Sequence, residues 1–431
     1  MSSSSSSSTS SARRGASSRP QITSLMYALP VRRLKEILGH VLPELTLGPV
    51  ETLSSPQLAR LYQLTMSDNR KLLLSFAPSL AVRLLRHEAT LLSTEAILVD
   101  FICKLEGKPT GKECRIQIND PECEFSLLGT AIPSLLKHSS NNREMAYPYS
   151  IFEPTLGVPL STLSIYLSTS ERHSIDKQVG QLARALACIT SPSGTFGMVN
   201  RVLEDPFIPN GAVAKERSDS ETWSEGFNTL LEGILRDGED MNVLLPYETI
   251  RAHYKRLSWH LDGIITPRLV VLDIADDTNV MVERVPSSST QPPHPLVTGL
   301  RSWSQGIFGD PQLANTFVDT PSSAFLEGWA ESGDDVAEDL EGAEIRMMLY
   351  SCYRAAVMIV TEYYRPQADS SRREMEGRRK LTRALAALER VVVDGDGEGE
   401  GEALKRVRSL SLEVKEREGV VKRIKIEELI D

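Results

Sequence analysis

The sequence predicts an α+β fold in which a smaller part with antiparallel strands comes first and a larger, mainly helical part follows. Between residues 59 and 77, two apolar-rich runs flank a cluster of turn residues, which is the pattern of a β-hairpin followed by a helix. Beyond residue 160, most apolar residues recur at helical spacing. A chain of 431 residues is long enough for one large two-part domain.

The composition excludes several classes of protein. Hydrophobic residues at 41% and charged residues at 25% are ordinary for a globular protein. A net charge of -10 argues against general nucleic-acid binding. No stretch approaches the ~18 uninterrupted apolar residues of a membrane span. The five cysteines lack metal-ligand spacing and are expected as free thiols in a reducing compartment, so we predict a cytoplasmic location.

Both ends of the chain differ in composition from its middle. Residues 1–24 form a Ser-rich segment with arginines and no acidic residue, which predicts a disordered tail. Such a composition is also found in mitochondrial transit peptides, an alternative location, although residues 2–20 contain no large apolar side chain that could form an amphipathic face. Residues 394–431 begin with the acidic, Gly-rich run DGDGEGEGE and continue as a charged tail.

The first ordered part is predicted to span residues 25–153. It opens with a helix in PVRRLKEILGHVL, because apolar residues there recur at helical spacing after Pro30. The hairpin follows, with its turn at Asp68 and Asn69. The segment LAVRLLRHEATLLSTEAILVDFI is predicted as one helix, with Glu88 and Glu95 two turns apart on one face. ECRIQIND and CEFSLLGT are predicted to add further strands.

The second ordered part is predicted to span residues 154–393, after a Pro/Gly break in YPYSIFEPTLGVPLSTL. Its strongest helical patterns are DKQVGQLARALACI, YETIRAHYKRLSWHLDGI, AEIRMMLYSCYRAAVMIVTEYY and RRKLTRALAALERVV. PRLVVLDIADDTNVMVERV is the exception. It is predicted as a pair of strands joined by a polar turn, and the strand-like PLVTGLRSWSQ follows it.

Six stretches, taken in order, resemble one family. They are LLRHEATLLSTEAILV, IFEPTLGVPL, SGTFGMVN, RLVVLDIADDTNVMVE, SWSQGIFGDPQLANTF and AFLEGW. From about residue 31 to 393 the chain resembles the aminoglycoside phosphotransferase and choline kinase-like family, and within it the filamentous-fungal branch. The resemblance implies a bilobal, protein-kinase-like fold, with residues 25–153 as the N-lobe, residues 154–393 as the C-lobe, and a nucleotide cleft between them.

The resemblance also implies roles for individual residues. Phosphoryl transfer depends on positioning and on neutralisation of charge. In this reading Asp273 orients the phosphate acceptor, Asn279 holds a metal ion, and Glu95 is the helix carboxylate that pairs with a nucleotide-binding Lys; Glu88 is the competitor for that last role. The interval from Asp273 to Asn279 is one residue longer than is usual in the family, so either the loop carries an insertion or a neighbouring carboxylate, Asp276 or Asp277, takes part of the role.

Three positions depart from the family pattern. Ser75 stands where the nucleotide-binding Lys is expected, Val271 where a His precedes the acceptor Asp, and Ser302 where a second metal-binding Asp is expected. A Ser hydroxyl supplies no charged oxygen to a hard cation such as magnesium. The phosphate-binding turn falls at residues 54–56 and contains Pro56, which has no N–H to donate.

Two retained residues of the same region are expected to be structural. Asp310, in FGDP, corresponds to a helix cap in the resembling family, and Trp303 is expected to be a core residue.

These departures predict little or no phosphotransfer. Removal of one preorganised transition-state donor costs ~3 kcal/mol, so two such losses correspond to about four decades in rate. The resulting hypothesis is a degenerate, pseudokinase-type binding protein for a small molecule or a protein partner. Two alternatives stay open: a repurposed tailoring enzyme of fungal secondary-metabolite biosynthesis, and an active small-molecule kinase that uses ATP and magnesium to phosphorylate a hydroxyl. The sequence specifies neither a cofactor outside that last case nor an oligomeric state.

Overall fold

The computed structural model describes residues 29–53, 58–105, 128–129, 131–208, 220–285, 294–331 and 342–391. The predicted Ser-rich tail, the phosphate-binding turn at 54–56, the C-terminal tail and nearly all of the two strands predicted between 113 and 130 lie outside these residues. No helix within the described ranges combines the length and the apolar character needed to cross a membrane.

The N-terminal part is built on a five-stranded antiparallel sheet with the order β1-β2-β3-β5-β4. Its strands are β1 (Leu47–Leu53), β2 (Arg60–Met66), β3 (Lys71–Phe76), β4 (Ser134–Ser139) and β5 (Tyr149–Glu153). The predicted hairpin is β2 and β3, paired through Leu64 and Leu72. Asn69 occupies its turn with φ at 67°, a left-handed conformation that Asn tolerates better than most residues.

Two helices cover the two faces of this sheet. Helix α1 (Val31–Val41) buries Leu34 and Leu38 against a cluster that contains Leu72, Leu74 and Phe76. Successive strand residues point to opposite faces, so the odd-numbered residues of β3 face away from α1. Helix α2 (Leu91–Leu105) lies on that second side, and its apolar residues belong to the main core of the protein.

Helix α2 is shorter than the sequence predicted. It begins at Leu91, and a 3₁₀ turn, Arg86–Thr90, precedes it. The Glu88 carboxylate accepts a hydrogen bond of 2.8 Å from the Leu85 N–H and so caps this turn. The prediction that Glu88 and Glu95 share one helical face is therefore wrong, because only Glu95 lies within the α-helix.

The C-terminal part contains the remaining helices and two small sheets. Its helices are α3 (Leu160–Leu163), α4 (Thr169–Ala187), α5 (Val199–Val202), α6 (Trp223–Asp240), α7 (Tyr247–Leu257), α8 (Asn315–Val318), α9 (Ser323–Ala330), α10 (Ala343–Tyr364) and α11 (Ser370–Glu389). Its strands are β6 (Val158–Pro159), β7 (Gly197–Met198), β8 (Arg268–Val271), β9 (Val280–Val285), β10 (His294–Leu300) and β11 (Gly306–Gly309). The predicted α+β, bilobal fold is confirmed.

The structure corrects the predicted pairing of β8 with β9. Strand β8 pairs with β11 in a sheet of order β7-β11-β8, whereas β9 pairs with β10 and β6. The segment between them turns on its own backbone bonds, from the Asp276 N–H to the Asp273 carbonyl (3.0 Å) and from the Asn279 N–H to the Asp276 carbonyl (2.8 Å). Strand β8 therefore enters the turn from one sheet, and β9 leaves it into another.

A buried polar network holds the centre of the C-terminal part. Asp310 accepts a hydrogen bond of 2.9 Å from the Gln312 N–H, which confirms the predicted cap. The same carboxylate accepts from Arg346 (3.1 Å) and from the Tyr350 hydroxyl (2.8 Å), and the Trp223 indole donates to that hydroxyl. The buried charge of Arg346 is thereby paired and hydrogen-bonded, as a charge at such depth requires.

Ion pairs connect the two parts beside helix α2. The Arg365 guanidinium donates to both oxygens of Glu88, each at 2.7 Å, in the bidentate geometry that favours Arg–carboxylate pairs. Arg86 reaches the opposite way, to Asp237 and Asp240 at the end of α6. The turn that precedes α2 is thus fixed to the C-terminal helices from both sides.

We predict that Arg365→Ala lowers the free energy of unfolding by about 3 kcal/mol, because Glu88, only 8% exposed, would lose its counter-ion. Urea denaturation of the full chain measures the change. Arg372→Ala, at a side chain 82% exposed, is the matched control and is expected to cost less than ~1 kcal/mol. Equal effects of the two substitutions would contradict this account of the lobe contact.

Candidate functional site

A cavity of about 150 Å³ lies between the N-terminal sheet and the segment 302–304 that joins β10 to β11. Its polar lining comes from both lobes and consists of Glu88, Glu95, Ser93, His138, Ser140, Ser302 and Ser304. Two positions predicted from the sequence, Glu95 and Ser302, therefore meet in one place. None of the described residues that line this cavity is a Lys or an Arg.

Glu95 is the buried carboxylate at the centre of this site. Its Oε1 atom accepts a hydrogen bond of 2.9 Å from the Trp303 N–H, and the Ser302 hydroxyl is a second partner. Burial raises the pKa of Glu95, and these two hydrogen bonds oppose the rise. The Glu95 carboxylate is thus satisfied by neutral donors.

Asn279 contacts the same segment from the other side. Its side-chain nitrogen donates to the Ser302 carbonyl (3.1 Å), and its side-chain oxygen accepts from the Ser302 N–H (2.8 Å). Asn279 is 1% exposed, so both backbone groups of Ser302 find their partners within the protein. The amide oxygen predicted to hold a metal ion is engaged in holding the backbone.

The donors at this position do not fit a magnesium ion. Magnesium prefers charged oxygen ligands, and the two groups next to each other here are a serine hydroxyl and an amide that is already hydrogen-bonded. Throughout the part of the chain that the structure describes, no three His, Cys, Asp or Glu side chains are placed to hold a metal ion.

Ser75, the position where the nucleotide-binding Lys was expected, is buried in β3. The side chain is 1% exposed, and its hydroxyl has no hydrogen-bond partner among the described residues. Lys71 is exposed at the far end of β3, about 13 Å away for four strand residues. Sequence spacing gave no reason to expect His138 near Ser75. Strand β5 brings them together, because Ser150 of β5 is the strand partner of Ser75 and is also hydrogen-bonded to the His138 ring at 2.8 Å.

His138 carries no positive charge at neutral pH. Burial lowers the pKa of its imidazole to about 4, so the ring is neutral at pH 7. The ring lies 4.8 Å from that of Phe207, between centroids. Among the polar side chains that line the cavity, His138 and the serines are thus neutral, and Glu88 and Glu95 are the acidic ones.

Asp273 differs from its neighbours because it keeps an unused carboxylate oxygen. One oxygen is 3.4 Å from the Gln305 amide, and the other is buried without a hydrogen-bond partner among the described residues. Burial, together with the nearby charges of Asp276 and Glu95, raises its pKa to about 7, while Arg354 acts in the opposite direction. A carboxyl group with this pKa can either donate or accept a proton near neutral pH.

The remaining predicted residues of the loop have structural contacts. Asp276 is exposed, and one of its oxygens accepts from the Thr278 N–H (2.8 Å) and hydroxyl (2.7 Å), as in an Asx turn. Asp277 pairs with Arg172. Val271 is 1% exposed and packs in the main core, so the position of the expected His contributes apolar packing instead of a hydrogen bond.

Trp303 is fully buried in the main core, as predicted.

Comparison with known proteins places this arrangement in a recognisable fold. No protein-family model and no curated protein matches the sequence. Among solved structures, a candidate fructosamine-3-kinase from Haemophilus somnus 129PT is similar with a TM-score of 0.51 and 11% identity, over 81% of this chain and 97% of that one. A second candidate fructosamine-3-kinase, from Thermobifida fusca YX-ER1, has a TM-score of 0.50 and 14% identity, over 83% and 99%.

A candidate aminoglycoside phosphotransferase from Ralstonia eutropha JMP134 is similar with a TM-score of 0.51 and 10% identity, over 84% of this chain and 99% of that one. The chain therefore has the bilobal, kinase-like fold of aminoglycoside phosphotransferases and fructosamine-3-kinases. The resemblance predicted from the sequence is confirmed at the level of the fold, and at these identities the likeness extends no further.

We predict that Asn279→Ala destabilises the protein by about 3 kcal/mol, because it leaves the N–H and the carbonyl of Ser302 buried and unpaired. Thr278→Ala, which removes only the solvent-accessible bond to Asp276, is the matched neighbour and is expected to cost less than ~1 kcal/mol. Chemical denaturation of both variants tests the difference. Similar losses would mean that the Asn279 side chain does not support the segment 302–304.

We also predict a pH-dependent effect of Asp273→Asn. A pKa raised from 3.8 to about 7 lets the folded wild type keep a proton that the unfolded chain loses, so wild-type stability falls between pH 4 and pH 7. The variant lacks this dependence, and its stability relative to wild type should rise over that interval and level off above pH 7. At about 1.4 kcal/mol per pKa unit the upper limit is about 4 kcal/mol. Urea unfolding at several pH values measures it, and a constant difference would refute the raised pKa.

Proposed function

We propose that this protein is a kinase-fold binding protein that does not carry out ordinary ATP-dependent phosphotransfer. One observation carries the proposal: the Glu95 carboxylate is hydrogen-bonded to Trp303 and Ser302, where a working kinase site would have a Lys and a metal-binding carboxylate. Ser75 and Ser302 supply neither charge. A triphosphate in the cleft would thus contact neutral hydroxyl groups and carboxylates.

The electrostatic balance supports the same conclusion. Phosphoryl transfer needs cations that neutralise the phosphate oxygens. The described lining of the interlobe cavity contains the carboxylates of Glu88 and Glu95 and no basic side chain other than the neutral His138. The charge of Glu88 is neutralised by Arg365. That guanidinium is not available to a ligand, because it is bound to both oxygens of Glu88. A polyanion entering this cavity would meet no available positive charge from the residues that line it.

Calorimetric titration of the full chain with ATP, with and without magnesium, tests the proposal. We expect no binding that depends on magnesium, because the donor set at Asn279 and Ser302 lacks a charged oxygen. Tight, magnesium-dependent binding would overturn the proposal and return the chain to the active small-molecule kinases, in which Asp273 would orient a hydroxyl acceptor.

Two double variants test whether a cation at position 75 and a carboxylate at position 302 are the charges that ATP binding lacks. Ser75→Lys with Ser302→Asp places a cation on the face of β3 opposite α1 and a carboxylate beside Asn279, and we expect a gain of at least tenfold in affinity for ATP with magnesium. Ser75→Lys with Ser304→Asp introduces the same charges but puts the carboxylate two residues away, and it is expected to gain less. Circular dichroism of both variants checks that the inserted Lys, at a position 1% exposed, has not unfolded the chain.

A second candidate function rests on Asp273. Its unpartnered oxygen and its pKa of about 7 are properties of a general acid or base. They favour the alternative of a repurposed enzyme, such as a tailoring enzyme of fungal secondary metabolism, in which Asp273 moves a proton on an organic substrate. Loss of ligand turnover in Asp273→Asn, with ligand binding retained, would separate this enzyme from a pure binding protein.

A further inference from the structure

A second and larger cavity, of about 410 Å³, lies in the C-terminal part, away from the segment 302–304. Helices α10 and α11 form its walls, and Val318 at the end of α8 closes one side together with Asp319 and Thr320. Its volume is within the range of ~300–1,000 Å³ that is typical of small-molecule sites. Its lining shares no residue with that of the interlobe cavity.

Arg354 is the unusual residue of this cavity. It lies in the middle of α10 and is half-buried, and it makes no hydrogen bond and no ion pair with any residue that the structure describes. Burial lowers the pKa of its guanidinium, with Asp319, Asp273 and Asp276 near enough to act against this. A desolvated guanidinium is costly unless it is paired, so an arginine without a direct partner that faces a cavity indicates an anionic ligand.

None of the other charged groups in the described lining forms an ion pair with Arg354. Asp319, the one carboxylate in the lining, is already paired with Lys380 at 2.6 Å. Arg383 is exposed on α11 and adds positive charge at the edge of the cavity. With Arg354, Lys380 and Arg383 against Asp319, the described lining is positively charged overall.

The rest of the lining is apolar and adaptable. It includes the three methionines Met347, Met348 and Met358 of α10, and Val318, Ala384 and Ala387. Methionine side chains are flexible and make favourable contacts with aromatic rings. This surface suits the apolar body of a molecule whose charged group is at Arg354.

We propose that this cavity binds a small organic carboxylate, with the carboxylate at Arg354 and an apolar, preferably aromatic, body against Met347, Met348 and Met358. The proposal rests on the binding function proposed above, for which it names the class of ligand. A carboxylate fits better than a phosphate chain because one planar guanidinium matches its two oxygens. The middle of α10, where backbone N–H groups are used within the helix, provides no cradle for several phosphates.

The cavity is linked electrostatically to Asp273 through Arg354. Arg354 interacts with the charges of both Asp273 and Asp276. A carboxylate bound at Arg354 would therefore change the electrostatic environment of Asp273, which is not itself among the residues that line the cavity.

Calorimetric titration of the full chain with three probes tests the proposal. The probes are 1-naphthoate, its uncharged amide 1-naphthamide, and acetate, which has the charge without the apolar body. We expect 1-naphthoate to bind at least tenfold more tightly than either of the others. Equal binding of the acid and its amide, or no binding of 1-naphthoate, would overturn the proposal.

Variants of the lining assign the binding to this cavity. Arg354→Gln should weaken 1-naphthoate at least tenfold, whereas Arg379→Gln, at a solvent-exposed side chain of α11 outside the lining, should leave it unchanged. Arg354→Gln removes a desolvated charge without a direct partner, so its melting temperature should be unchanged or higher. Should that variant fail to fold, Ser351→Phe fills the cavity while keeping Arg354, and it should also abolish binding. Unaltered affinity in Ser351→Phe would refute the site.

The outcome is separable from that of the ATP titration. Magnesium-dependent ATP binding would overturn the proposed function. The carboxylate site would still be tested by the binding of 1-naphthoate to the Arg354 and Ser351 variants. Failure of 1-naphthoate to bind, with ATP also unbound, would overturn only the carboxylate site.

Discussion

The hydrogen bond from the Trp303 N–H to the Glu95 carboxylate is the contact on which the arrangement of the cleft depends. It joins the helix of the N-terminal lobe to a segment of the C-terminal lobe, and Asn279 holds that same segment through both backbone groups of Ser302. Each partner is buried, so losing any one of them would leave a polar group unpaired at a cost of ~1–3 kcal/mol. The network uses the polar groups that could otherwise contact a nucleotide and a metal.

Charge is distributed in this fold in a way that follows from that network. The cavity between the lobes is lined by serine hydroxyls, by an imidazole with a pKa of about 4 and by the carboxyl groups of Glu88 and Glu95. Unpaired charge is found instead on the C-terminal side, at Arg354 and Asp273. A fold shared with kinases can therefore present its reactive groups to a different kind of ligand, because the fold fixes positions and not the chemistry of the side chains.

Elements with strong local signals were predicted well. Helix α10 has the limits that its apolar periodicity predicted, and the β2–β3 hairpin follows from its turn residues. Strands β1, β4 and β11 were not predicted, since short strands carry little periodic signal and are stabilised by partners distant in sequence. The single helix predicted over LAVRLLRHEATLLSTEAILVDFI was wrong in its first half, because a 3₁₀ turn capped by Glu88 precedes α2.

The sequence by itself determined which chemical groups the site can contain: Glu95, Asp273 and Asn279 are present, and Ser75, Val271 and Ser302 stand where the resemblance led us to expect a Lys, a His and an Asp. The tertiary structure decided what these groups contact. Glu95 and Trp303 are 208 residues apart, and Asn279 and Ser302 are 23 apart. His138 and Arg354 belong to no motif, and only packing places them at a cavity. Local periodicity specifies the faces of helices and strands, whereas the choice of partners depends on the simultaneous packing of distant elements.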